Sequence, residues 1–267
     1  MILSVLNLTL TLVKMGPALH SVGVEQVHNA PMYPRRDVDI TSTLPKVTEY
    51  WVPRPSEMGE EGYEGLYFRD VCVLSGIRID IARGVMQFER AAAQWAGDYA
   101  ADEGEFESMA RAVESFDSYG DVDELHDGIH LPAELQGSDQ DLRGFDLGVA
   151  GLSYVMAATG FYPVASCRSH LGRTWSAEPV VLFATDEERL RRLQPLVAQS
   201  GCGLSADATR GKVLRVVSAP SILEMMDLAQ HLFDKRADFR LLPKTTRKQA
   251  GRMRSVGANP PDEHRLF

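Results

Sequence analysis

A chain of 267 residues, 44% apolar and 24% charged, has the make-up of an ordinary globular protein with enough length to bury a sizeable core. Its net charge of −9 argues against a broad nucleic-acid-binding face, which is normally basic, and leaves only a local basic patch open. Three widely spaced cysteines, Cys72, Cys167 and Cys202, form no disulfide framework and fit a reducing, intracellular setting.

Ile2–Val13 is apolar but alternates, with Leu6, Leu8, Leu10 and Leu12 on one side and Asn7, Thr9 and Thr11 between them, the period of a half-buried strand. The first positive charge, Lys14, follows this run, and 12 residues are too few to span a bilayer. The reading is a strand, with a signal-like leader or a membrane-associated segment as alternatives. Residues 14–69 are punctuated by Pro17, Pro31, Pro34, Pro45, Pro53 and Pro55. Interleaved aromatics (Tyr33, Tyr50, Trp51, Tyr63) make this a packed, loop-rich segment, with short strands at Val47–Val52 and Gly65–Leu74. Ile81, Val85, Phe88, Ala92 and Trp95 share one face of a helix over residues 79–96. A second helix is expected over Glu105–Phe116.

Between Asp98 and Gly128 there are 11 acids against one arginine, Arg111. The segment reads as a solvated helix face and loop, or as a surface for a basic partner. Asp117–Asp127 alternates like a calcium loop, but the twelfth position is Gly128 where a glutamate is needed. His126 and His130 are four apart, yet Gly128 and Pro132 break a helix there and the H-E-x-x-H glutamate is missing. A metal role for that pair would need Cys167 and His170 to complete it.

Residues 130–140 read as a linker. Beyond them the chain alternates regularly: a helix over Leu147–Thr159, strands over Phe161–Ser166 and Pro179–Ala184, and a helix capped by Asp186 and stopped by Gly201. A hairpin of Gly203–Ala208 and Lys212–Ser218 follows, then a helix capped by Ser221. The order α-β-β-α-β-β-α, with short hairpins, predicts an α+β fold: a mainly antiparallel sheet with helices packed on one face. The expected organisation is a loop-rich N-terminal region with a strand and helices (1–130), a compact α+β domain (141–240) and a flexible basic tail (241–267). No G-x-G-x-x-G or Walker A motif occurs.

Gly160–His170, GFYPVASCRSH, is the place where a candidate nucleophile, base and arginine converge. A cysteine at a strand end, with a histidine three residues later, sits on a loop held by a rigid sheet, a common setting for active-site groups. A nearby His170 or Arg168 would raise the Cys167 thiolate fraction, so the pair reads as nucleophile and base. The same spacing supplies two zinc ligands, but a full site needs two more, and no metal or cofactor is assigned. The third alternative is a structural cysteine beside a histidine making a loop hydrogen bond. Ser166, Arg168, Ser169, Arg173 and Trp175 add a positive, aromatic patch suited to a phosphate, a carboxylate or a stacked base, or an ordinary loop in which Trp175 covers the core. If a pocket forms here, Cys167 and His170 belong on its rim. No third group to orient the histidine can be named from sequence.

The run of helix, Gly-Phe-Tyr, apolar strand and Ser166-Cys167-x-Ser169-His170 resembles the S-C-x-G-H element of small bacterial and phage proteins without assigned function. It is similar, more faintly, to the S-C-S-G-R element of the wybutosine-synthesis methyltransferases, which handle a modified tRNA base. The likeness covers residues 142–239. Ser169 replaces the glycine and His170 the arginine, so it implies no catalytic role beyond marking Ser166, Cys167 and His170.

Two functions follow. The first is a non-enzymatic subunit or adaptor of a larger cytoplasmic bacterial assembly, with the acidic segment 98–127 and the basic tail as contact surfaces. It needs a protein partner and no membrane, and its tail could touch nucleic acid. The alternative is an enzyme or binding protein for a small molecule, nucleotide or nucleic acid, with its site at Cys167 and His170. Charge segregation is visible and a complete catalytic constellation is not, which favours the first.

Overall fold

The computed structural model describes residues 30–40, 74–115, 131–136, 138, 141–172, 176–207 and 213–242. Contacts group the chain into units 1–30 and 31–267, and the first lies outside the described residues save for Ala30. The N-terminal strand, the strands at 47–52 and 65–74 apart from Leu74, the histidines at 126 and 130, and the tail beyond Leu242 also lie outside them.

The helix begun by Ile79 runs to Tyr99 and is called α1. Its inner face is lined by Val85, Met86, Phe88 and the small residues Ala92, Ala93 and Ala96, which let a neighbouring helix approach closely. After a short turn, α2 (Glu103–Glu114) begins two residues before its expected start, because Asp102 caps it. The Asp102 carboxylate accepts the Glu105 N–H at 2.9 Å, and Glu105 reaches back to accept the Ala101 N–H at 2.8 Å, a reciprocal capping arrangement. The expected linker contains a short helix, α3 (Ala133–Gln136), because Leu131 and Leu135 are drawn into the core.

The alternation that follows is the expected one: α4 (Ala150–Ala158), β1 (Tyr162–Cys167), β2 (Val180–Ala184), α5 (Glu187–Gln199), β3 (Gly203–Asp207), β4 (Leu214–Ser218) and α6 (Ile222–Asp234). A further short helix, α7 (Arg236–Arg240), buries Phe239. Asp186 caps α5 through the Arg189 N–H and Ser221 caps α6 through the Leu223 N–H, both as their sequence positions require.

The four strands form one antiparallel sheet in the order β1-β2-β4-β3. Val181, Phe183, Leu204 and Val217 pack with the helices into the main core, so the described helices cover one face of the sheet. Val164, Cys167, Val180, Leu182 and Leu214 form a smaller apolar cluster apart from it. Helix α4 is buried along almost its whole length, held between α1 and α6. Helices α1 and α2 thus share one core with the elements after residue 141. Strand β1 is an edge strand, which tolerates Pro163 and the irregularity in its ladder between Pro163 and Ala165. Its last residue, Cys167, pairs with Val180 and opens the loop that carries the candidate site. Among the described residues no helix is long and apolar enough to cross a membrane.

Candidate functional site

The loop after β1 turns sharply. Ser169 has φ +70°, a left-handed conformation that a residue with a Cβ enters at a cost. That turn directs the Ser169 N–H at the Cys167 sulfur, 3.4 Å away, and lets the Ser169 hydroxyl donate to the Ala177 carbonyl at 2.7 Å. It also sends neighbouring side chains into different surroundings. Cys167 is 1% exposed among apolar residues, while the His170 side chain keeps 22% of its surface open.

His170 meets a residue that sequence did not single out. Its Nε2 lies 2.9 Å from Oδ2 of Asp146, in the turn before α4. The same Asp146 oxygen accepts the Arg168 N–H at 3.2 Å. The Asp146 hydrogen bond, joined by one with Cys167, raises the His170 pKa to about 10 against the opposing effect of burial, so the ring is an imidazolium at neutral pH. Nδ1 faces Glu107 Oε1 at 3.5 Å. The Asp146 turn depends on Gly148, whose φ of +90° and close packing on Ile222 leave no room for a Cβ.

Arg168 takes a different role from the one expected. Its side chain is 3% exposed, and its guanidinium is held by two carboxylates of α2. Nη1 donates to Glu107 at 2.6 Å, while Nε and Nη2 donate to the two oxygens of Glu114 at 2.5 and 3.2 Å. Burial disfavours the cation, but Glu114 and Glu107 hold it protonated. Burial likewise pushes Glu107 upward, and the bonds from Arg168 and Arg111 overcome this and bring it down to about 2. The fork geometry suits paired carboxylates, so Arg168 is occupied within the chain and not presented to an anion.

A shallow recess beside the cluster is lined by Arg36, Glu103, Phe106, Glu107, Arg168 and Ser169, with Pro34, Pro179 and Ile222. Cys167 and His170 do not line it, in contrast to their expected place on a rim. Arg36 crosses it, pairing with Glu103 and donating to Ser169 Oγ at 3.4 Å. Ser166 is half-buried within the β1 ladder, opposite Val181. Arg173 and Trp175 lie outside the described residues.

Asp146, Cys167 and His170 bring a carboxylate oxygen, a sulfur and a ring nitrogen within 4.8 Å of one another. Such a set can orient an imidazole beside a thiol, or hold a cation. The acids of α2 were legible only in part. Glu107 and Glu114 are seven apart and each follows a residue of the buried stripe, Phe106 and Val113, so they border the apolar face. Asp146 carried no comparable signal. No family model, curated protein or solved structure matches this chain.

Proposed function

We propose that the protein is an enzyme or binding protein for a small molecule, nucleotide or nucleic-acid-linked substrate, working through the loop after β1. The observation that carries this is His170, held by Asp146 at 2.9 Å and placed beside Cys167. A functional imidazole needs a partner to act on and a third group to fix its orientation. The sequence supplied the first two and the turn before α4 supplies the third. Arg168 is then a positioning residue: it braces Glu107, which faces the imidazole.

The adaptor reading keeps one observation in its favour. At the α1–α2 turn Asp98, Asp102 and Glu105 are exposed beside Tyr99, which is 72% exposed, an acidic and aromatic patch open to a basic partner. Other acids of this segment, Glu103, Glu107 and Glu114, are paired with arginines of the same chain.

Complementation of a deletion in the native host separates the two. Cys167→Ala, His170→Ala and Asp146→Ala should fail to complement while remaining folded by circular dichroism. Charge reversal at Asp98, Asp102 and Glu105 should complement. The opposite pattern would transfer the function to the acidic patch.

A further inference from the structure

We infer that Asp146, Cys167 and His170 form a three-ligand site for a zinc-like divalent cation, with the fourth position open to solvent. The inference deepens the site reading above and rests on it. Thiolate, imidazole and carboxylate together are the donor set of zinc, and three protein ligands with one open position are the pattern of catalytic zinc.

The donor atoms lie within 4.8 Å of one another. A tetrahedron drawn with zinc's bond lengths has edges of about 3.3–3.7 Å, so closing on a cation needs side-chain movements of about an ångström. The accessibility lets a cation reach the cluster from the side of Asp146 and His170. The thiol is buried on the inner side, while the Asp146 and His170 side chains are 26% and 22% exposed.

The surrounding groups make the cluster more than a chance meeting. Each donor has an outer partner of the kind that orients metal ligands. The Arg168 N–H donates to Asp146 and the Ser169 N–H donates to the Cys167 sulfur. With Nε2 turned toward Asp146, Nδ1 of His170 faces Glu107, and that carboxylate is fixed by Arg168 and Arg111. A carboxylate behind a histidine fixes the ring's orientation and strengthens it as a ligand. Binding requires that the cation replace the proton shared by His170 and Asp146 and the Cys167 thiol proton, both released to solvent, and take all three groups as ligands. Zinc affinity should therefore rise with pH.

The test uses the full chain, stripped with a chelator and titrated separately with Zn²⁺ and Co²⁺. Elemental analysis should find one Zn²⁺ per chain, and zinc should raise the melting temperature. Co²⁺ should give a thiolate-to-metal charge-transfer band and the d–d bands of a four-coordinate site. Cys167→Ser should abolish the charge-transfer band, and Cys202→Ser should keep it. His170→Ala and Asp146→Ala should weaken zinc binding by at least about 100-fold, and Glu107→Gln by about 10- to 100-fold. A stripped, folded wild-type chain that binds neither ion overturns the inference, as does a charge-transfer band that survives Cys167→Ser. If Cys167→Ser does not fold, the wild-type cobalt spectrum decides, and a spectrum without a thiolate band overturns it. Failure to bind metal alongside the predicted complementation pattern removes the ion and leaves the site. Metal binding with full complementation by the three alanine variants removes the functional reading instead.

Discussion

Two buried carboxylate sites in this fold are neutralised in opposite ways. Glu89, on α1, is fully buried and accepts the Gly148 and Gly151 N–H groups at 2.8 and 3.0 Å, capping the start of α4 from a neighbouring helix. Burial raises its pKa to about 7 although these backbone bonds pull the other way. Glu107 and Glu114, on α2, are instead paired with the buried guanidinium of Arg168. A carboxylate served by backbone N–H groups locks one helix to another and leaves nothing for chemistry. A carboxylate served by a side-chain cation belongs to a network that extends outward, here to His170 and from there to Asp146. The first arrangement fixes the fold and the second fixes a loop whose side chains remain usable.

The largest effect expected on this contrast comes from Arg168→Met. It strands two carboxylates in a site built for a cation, at a cost of about 3–5 kcal/mol. Urea unfolding should show the midpoint falling accordingly, and a loss below about 1 kcal/mol would mean that α2 and the loop are not held by this network.

The next effect is in the pH dependence, where Glu89 and Glu107 pull in opposite directions, while burial raises Glu114 in the same direction as Glu89. Glu89 takes up its proton more readily in the folded chain, with a pKa of about 7 against an ordinary 4.5. Its favourable contribution is complete below about pH 4.5 and is lost as pH rises through about 7, by at most about 3 kcal/mol. Glu107 is depressed to about 2, so its contribution is present above about pH 4.5 and is lost as pH falls toward 2. Stability measured across this range should peak in mildly acidic buffer. Glu89→Gln should reduce the slope between about pH 4.5 and 7 and leave the acid limb unchanged. The raised values of Glu114 and His170 keep a remaining fall on the alkaline side. The substitution should also cost about 1–3 kcal/mol, because an amide cannot accept with both of its terminal atoms and one backbone donor is left facing another donor. An acid limb that moved with Glu89→Gln would show that the two sites are coupled.

The same contrast explains what could be read in advance. The α-β-β-α-β-β-α order was legible because each boundary is set locally: Asp186 and Ser221 cap their helices, Gly201 stops α5 at φ +71°, and the strands are short apolar runs. The Cys167–His170 loop was legible for the same reason. Arg168 was misread because its charge suggests a surface, and only tertiary packing brings α2 across it. Glu107 and Glu114 looked like part of a solvated acidic run until their place beside Phe106 and Val113 turned them inward. Asp146 lies 21 residues before Cys167, and its approach to His170 depends on how the Gly148 turn packs against Ile222 on α6, an element 76 residues beyond Asp146. No local pattern encodes such a contact.

Asp146→Asn tests how far the outward end of the network matters to the fold. An asparagine can still accept the Arg168 N–H but no longer offers a charge to His170. The expected loss is about 1 kcal/mol in urea unfolding, since both side chains are partly open to solvent. In the metal-free chain the imidazole should titrate at lower pH by proton NMR, because the Asp146 bond is the main cause of its raised value.

The smallest effect is the one that isolates backbone strain at the site. Ser169 holds φ +70°, where glycine is free of the Cβ clash that costs about 1–2 kcal/mol in other residues. Ser169→Gly removes the clash but loses the hydroxyl that donates to the Ala177 carbonyl at 2.7 Å, a bond worth about 0.5–1.5 kcal/mol. The two terms nearly cancel, so the variant should unfold within about 1 kcal/mol of the wild type. Ser169→Ala loses the hydroxyl and keeps the clash, and should be less stable than Ser169→Gly by about 1 kcal/mol. Equal stabilities for the two variants would mean that the loop relaxes out of the left-handed conformation. The Ser169 N–H would then no longer be aimed at the Cys167 sulfur, and the cluster would lose one of the three outer contacts that orient it.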